Sequence, residues 1–238
     1  MQKVTALCTF FISTAIMSKE LVEFLGGFIT EHKMELFREK IGQRTRQLTV
    51  VVENLFQEHN ISAVLRTADC FGVQDIHVIE RGYQYRVNDE VALGASKWLD
   101  VKHYKDAENN TLDCYKALRE QGYKIVATTP HKDDVNLEEY DFSQKTALVF
   151  GTELQGLSPE AIEHADAWLK VPMVGFTESL NISVCAAVCM HHATWKLRSG
   201  ESFPGLSEEE QTETMHRWIR SVLKKPDLLE EEFFKRNG

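Results

Sequence analysis

Ala147-Leu148-Val149-Phe150-Gly151-Thr152-Glu153-Leu154-Gln155-Gly156-Leu157-Ser158 is the stretch on which the reading of this chain turns. Its first four residues have the unbroken apolar character of a strand buried on both faces of a parallel sheet. A loop with two glycines follows, and then a short helix read over Pro159–His164. Open α/β sheets bind their ligands at such junctions, beyond the carboxyl ends of the strands. Glycine lets backbone approach a ligand closely, and Glu153 puts a carboxylate at the strand's end. The string is not G-x-G-x-x-G, and no Lys-Ser/Thr follows the second glycine, so neither the dinucleotide fingerprint nor the P-loop fits.

Strand and helix patterns alternate on both sides of this stretch. Upstream, Leu48–Glu53 reads as a strand, Ile61–Phe71 as a helix closed by Gly72, and Asp75–Glu80 as a strand. A polar loop over 81–98 leads to a strand at Val101–Tyr104, a helix at Leu112–Gln121 closed by Gly122, and the apolar strand Lys124–Thr128. Downstream come the strand Trp168–Val171 and the long apolar helix Leu180–Leu197. This order predicts an α/β domain with a parallel sheet over 48–198. Residues 18–40 read as one or two helices, and Glu208–Leu223 and Asp227–Arg236 as surface helices. The expected organisation is an N-terminal extension with helices (1–47), the α/β domain (48–198) and a C-terminal helical extension (199–238).

With 43% hydrophobic and 26% charged residues the chain has ordinary globular composition. It lacks an apolar run of the roughly 18 residues a membrane span needs, so no membrane partner is expected. Lys3 and the apolar Val4–Ile16 loosely resemble a secretory signal, but no small-residue cleavage site follows. Met17-Ser18-Lys19-Glu20 reads as an alternative start, and residues 1–17 are left out of the fold argument. Cys8, Cys70, Cys114, Cys185 and Cys189 are odd in number and follow no disulfide spacing, which suits a reducing cytoplasm. Cys185, Cys189, His191 and His192 invite a metal reading. They sit in an apolar helical run, however, and read better as small core residues, so no metal is expected.

The net charge of −9 is awkward for a nucleic-acid partner, but its distribution matters more. Acids gather at Glu208–Glu210 and Glu230–Glu232, while Arg38, Lys40, Arg44 and Arg46 form one basic group and Arg217, Arg220, Lys224 and Lys225 another. Each basic group suits a solvated helix face as well as an RNA contact, so charge decides nothing.

Two further segments exceed what a plain α/β domain requires. Asn54–Asp69 runs from a strand through a polar turn into a helix bearing Asn60 and Arg66. Arg66 is either paired with Asp69 one turn on or held for function. Val171–Val184 runs from a strand through a glycine-containing loop to Ser179 and Asn181, which suit a helix cap or a site.

In order, N-x-S-A-V-L-R-T-A-D-x-F-G-V, F-G-T-E-x-x-G-L-S and V-P-M-x-G-x-x-E-S-L-N-I-S-V resemble the three motifs of the SpoU branch of the SPOUT RNA methyltransferases, over residues 48–198. Within that branch the chain is most similar to the tRNA (guanosine-2′-O-)-methyltransferases, which carry short helical segments on both sides of the domain. Residues 18–47 are too short for the separate RNA-binding domain of many ribosomal-RNA relatives.

The resemblance implies a parallel-sheet SPOUT α/β knot, with a C-terminal trefoil knot around 150–185 and helical N- and C-terminal extensions. It implies S-adenosylmethionine as cofactor, a homodimer paired through the knot, tRNA as the RNA partner and a cytoplasmic location. By motif, Thr128, Gly151, Val171 and Leu180 would line the cofactor site, and Arg66 would be catalytic. Asn60 would orient Arg66 or a phosphate; Glu153, Ser179 and Asn181 would position the arginine, the ribose or the cofactor. A guanidinium keeps its proton near neutrality. Arg66 therefore reads as a fixed cation for the developing alkoxide, with an RNA phosphate taking the proton. The leaving thioether is already activated, so the reaction calls for no metal. The competing readings are a ribosomal-RNA 2′-O-methyltransferase, a non-catalytic RNA-binding protein, against which the full polar set speaks, and a nicotinamide-dependent dehydrogenase, disfavoured by the missing fingerprint.

Overall fold

A computed structural model describes residues 19–55, 57–80, 88–130, 135–153 and 155–237. The set-aside segment 1–17 and the start of the 81–98 loop lie outside the described residues.

Among the described residues, seven strands form one all-parallel sheet in the order β3-β2-β1-β6-β4-β7-β5. They are β1 Leu48–Glu53, β2 Asp75–Ile79, β3 Asp100–Tyr104, β4 Lys124–Thr128, β5 Val135–Asn136, β6 Thr146–Phe150 and β7 Ala167–Lys170. The three strands β1, β2 and β6 are buried along their whole length. That explains the mostly apolar, β-branched character of β1 and β6, while β2 alternates Ile76, Val78 and Ile79 with the buried polar Asp75 and His77. β1 lies between β2 and β6, pairing Val51 with His77 on one side and Val149 on the other.

Successive side chains of a strand point to opposite faces, and β1 divides accordingly. Val50 and Val52 join Ile61, Val64, Leu65 and Ala68 of α3 (Glu58–Phe71) and Ala186, Met190 and Ala193 of α7 (Ile182–Ser199). Val51 joins the opposite core with Tyr115 and Leu118 of α5 (Asn110–Glu120) and Ala161 of α6 (Pro159–Glu163). Gly72 ends α3 in the left-handed region at φ 77°, its N–H bonded to Ala68 and Asp69 carbonyls. A side chain there would also come within 2.4 Å of the Gln43 carbonyl oxygen, so glycine is required twice over.

Several details differ from the sequence pattern. α3 begins at Glu58 rather than Ile61, because its polar first turn carries no apolar period. α7 begins at Ile182 rather than Leu180, since Asn181 caps it. The polar loop includes a turn of helix, α4 (Asp89–Ala92), and a 3-10 turn at Ala95–Lys97. β5 has only two residues, too few to show alternation.

The chain divides into two compact units, the α/β unit Gln43–Gly205 and a helical unit drawn from both ends, up to Gly42 and from Leu206 onward. The sequence presents these ends as separate extensions; the structure gives them one shared core. Phe37 of α2 (Glu31–Ile41) stacks edge-on against Trp218 of α8 (Glu208–Val222), ring centres 5.6 Å apart. Phe24 of α1 (Lys19–Gly26) lies 5.4 Å from Phe233 of α9 (Pro226–Asn237). A capping box between Ser207 and Glu210 starts α8 and engages the last of the three acids clustered there.

Candidate functional site

At the carboxyl edge of the sheet, β6 leads into Gly151 and a turn that folds back on itself. Thr152 N–H donates to the Gly156 carbonyl at 2.9 Å, and Gly156 N–H returns a bond to Thr152 at 3.0 Å. Gly156 sits at φ 67°, and a Cβ on Gly151 would meet the Gly156 carbonyl carbon at 2.2 Å. Both glycines are therefore demanded by the turn.

Beside this turn lies a cavity of about 370 Å³. Leu157, Ile162, Leu169, Val171, Leu180 and Ile182 give it apolar walls, and Thr128, Thr152, Glu153, Glu178 and Ser179 its polar points. The Thr128 hydroxyl is engaged by the Val149 carbonyl at 2.8 Å. Thr128, Gly151, Val171 and Leu180, the four residues assigned to a cofactor by motif, all lie on this lining, together with Glu153 and Ser179. Asn60, Arg66 and Asn181 do not.

Three motif residues, one from each segment, meet in a polar cluster. Asn60 Nδ2 donates to Gln57 Oε1 at 2.8 Å and to Glu153 Oε1 at 3.2 Å. Asn181 Nδ2 donates to Asn60 Oδ1 at 3.2 Å and also to Glu153 Oε1. The other end of Asn181 caps α7: Oδ1 accepts from Ser183 N–H at 2.9 Å, Ser183 Oγ at 2.6 Å and Val184 N–H at 3.4 Å. The choice between cap and site thus resolves into one amide doing both. Glu153 itself is exposed, and its second oxygen has no protein partner among the described residues.

Arg66 stands apart. It is exposed on α3, with no ion pair or hydrogen bond among the described residues. Six residues beyond Asn60, it sits about 9 Å further along the helix and roughly 120° around it. The pairing with Asp69 is absent, because Asp69 accepts from the buried Arg44 instead.

Sequence reasoning passed over Gln57, Glu178 and Cys185. Cys185 lines the cavity rather than belonging wholly to the core, while Cys189 is fully buried. Its signal was its place four residues after Asn181, on the same helix face. A hydrogen bond from the Cys189 thiol holds Cys185 below the ordinary thiol range against the opposing effect of burial. Among the described residues no three His, Cys, Asp or Glu side chains come together as a metal site. Nor is any described helix long and apolar enough to cross a membrane.

The sequence profile of the SpoU rRNA Methylase family matches residues 47–191, and the chain belongs to that family. The tRNA (guanosine(18)-2′-O)-methyltransferase of Borreliella burgdorferi is 38% identical over 206 residues, covering 87% of this chain and 93% of that protein. The enzyme of the same name from Thermus thermophilus is 33% identical over 193 residues, covering 80% and 97%. Among solved structures, the Aquifex aeolicus TrmH/SpoU tRNA modifying enzyme superposes with a TM-score of 0.73 at 33% identity, covering 82% of this chain and 98% of the other. AviRb of Streptomyces viridochromogenes, solved with AdoMet, shares the fold at a TM-score of 0.54 and 24% identity. The parallel-sheet reading stands: this is the SpoU methyltransferase fold.

Proposed function

We propose that the chain transfers the methyl group of S-adenosylmethionine to the ribose 2′-hydroxyl of a tRNA guanosine, guanosine 18 by the names its relatives carry. The observation that carries this reading is the meeting, on one sheet edge, of the cavity with the Asn60–Glu153–Asn181 cluster.

The cavity suits the cofactor. At about 370 Å³ it falls within the roughly 300–1,000 Å³ of small-molecule sites. Its aliphatic walls suit a neutral base, the bare backbone at Gly151 permits close approach, and the carboxylates of Glu153 and Glu178 suit a cation. When bound, S-adenosylmethionine supplies a methyl already activated by its sulfonium. Thr128, Gly151, Val171 and Leu180 hold it, and Ser179 orients it or the ribose. Asn60 and Asn181 fix one oxygen of Glu153, leaving the other to accept a hydrogen bond from the substrate.

Arg66 is the cation set against the developing alkoxide, while an RNA phosphate takes the hydroxyl proton. Because Arg66 does not line its own chain's cavity, the reading includes a homodimer in which it serves the neighbouring one. Exposed apolar side chains favour such pairing: Val174 and Phe176 on the loop before α7, and Val184, Val188 and Trp195 along one stripe of it. Pairing through a trefoil knot over 150–185, and a cytoplasmic location among the tRNA, complete the proposal.

Incubation with tritiated S-adenosylmethionine and separate tRNA and ribosomal RNA, followed by nucleoside mass spectrometry, tests it. The expected product is 2′-O-methylguanosine in tRNA. Label confined to ribosomal RNA would replace the substrate, and no affinity for S-adenosylhomocysteine would defeat the cofactor site. A monomer by sedimentation at micromolar concentration would defeat the pairing.

A further inference from the structure

Glu53, the last residue of β1, is only 2% exposed. Burying an acid is unfavourable unless donors meet it, and here they do. Oε1 accepts from Thr111 Oγ1 at 2.7 Å and from Ser158 Oγ at 2.7 Å, and Oε2 accepts from Ser158 N–H at 2.8 Å. The Ser158 hydroxyl in turn accepts from Ala161 N–H at 3.1 Å, capping α6. One buried side chain thereby ties the end of β1 to the end of the Gly151–Ser158 turn.

That turn needs such a tie. Thr152, Gln155, Gly156 and Leu157 line the 370 Å³ cavity on one hand and a second cavity of about 290 Å³, floored by Glu53 and Asn54, on the other. With open space on both sides, close packing anchors the turn only in part, chiefly through Leu157 in the core beside Ala161. Its entry is held by β6, its waist by the Thr152–Gly156 pair of hydrogen bonds, and its exit by Glu53.

We infer that Glu53 is a positioning residue of this enzyme: through Ser158 it holds the turn that carries Glu153 and walls the cofactor cavity, without touching cofactor or RNA. The inference rests on the cavity being the cofactor site.

Hydrogen exchange and calorimetry on the full chain test it. In Glu53→Gln the three donors that share two carboxylate oxygens are left with a single neutral acceptor oxygen, beside an NH2 group that cannot accept. Amides between Thr152 and Ser158 are expected to exchange roughly tenfold faster, while those of Val50–Val52 keep their protection. The dissociation constant for S-adenosylhomocysteine is expected to rise about as much, and methyl transfer to lose several-fold in kcat as well as in KM for the cofactor, because the same turn carries Glu153. Exchange and affinity within twofold of the unsubstituted chain would overturn the inference. Should E53Q not fold, Ser158→Ala keeps the backbone donor and loses the hydroxyl, and the same two readouts are expected to move several-fold. No movement there would overturn it equally. If the unsubstituted chain fails to bind S-adenosylhomocysteine, the cofactor reading falls, and the exchange measurement alone still decides whether Glu53 holds the turn.

Discussion

The two edges of the sheet treat charge in opposite ways. At the amino edge, just before β1, Arg46 Nε donates to Asp75 at 3.1 and 3.2 Å, and Nη2 donates to Asp100 at 2.8 Å. Burial alone would lower the Arg46 guanidinium, but the two carboxylates hold it above its ordinary value. Burial also raises the Asp75 carboxyl, although Arg46 opposes the shift. At the carboxyl edge, Glu153 is held only by amide donors among the described residues. Arg66, about 9 Å further along α3 than Asn60, is exposed and has no partner among the described residues. Charges that brace the fold are cancelled within it. Glu153, at the end of a strand, is left with its charge uncancelled among the described residues.

The largest expected effect belongs to the amino edge. Arg46→Ala leaves two carboxylates sharing a buried site, and chemical denaturation should show a loss of about 3–5 kcal/mol. Affinity for S-adenosylhomocysteine, measured where the variant is folded, should hardly change. Arg66→Ala is the mirror case. Its melting temperature should stay put and cofactor affinity should hold, while tritium transfer to tRNA falls by about 10²–10³-fold. Near-normal turnover would remove Arg66 from the chemistry and leave Arg46 and Arg66 differing only in burial.

A third test lies between the edges. His77 is fully buried on β2, with Nδ1 2.9 Å from the Tyr104 hydroxyl and no partner for Nε2 among the described residues. Burial, helped by Lys102, pushes its pKa down to about 3. The unfolded chain takes up that proton near pH 6.5, the folded one only near 3. Stability from this residue is thus complete above about pH 6.5 and is lost as pH falls, by about 1.4 kcal/mol per unit. Denaturation curves from pH 7 to 4 should show the slope, and His77→Gln should flatten it. The smallest effect falls where structure and chemistry share one residue. Asn181→Ala removes the cap of α7 at a cost of about 1 kcal/mol and also takes away one of the two amide donors to Glu153, so stability and transfer should decline together. A decline in only one of them would show that the amide has a single role.

Much of the fold was legible because buried parallel strands write themselves plainly, as in Leu48–Glu53 and Thr146–Phe150. Three of the polar motif residues, Asn60, Glu153 and Asn181, do come together. Their partners were harder to see. Asp69 lies one turn from Arg66 in sequence yet pairs with Arg44, since a surface arginine in water gains little from a neighbour while a buried one must be neutralised. Glu53 gave no sign of its role, because an acid at the end of an apolar strand looks like the start of a loop until Ser158 is brought across to it.

The order of residues alone determined the alternation of strands and helices, the two glycines of the Gly151–Gly156 turn and the family to which the chain belongs. These follow from local periodicity and local backbone freedom, which nearby residues carry in full. Only the tertiary structure decided which polar side chains meet, that both ends of the chain build one helical unit, and that Arg66 stays outside the cavity of its own chain. Such outcomes depend on contacts between residues far apart in sequence, whose partners are chosen by burial and geometry in three dimensions.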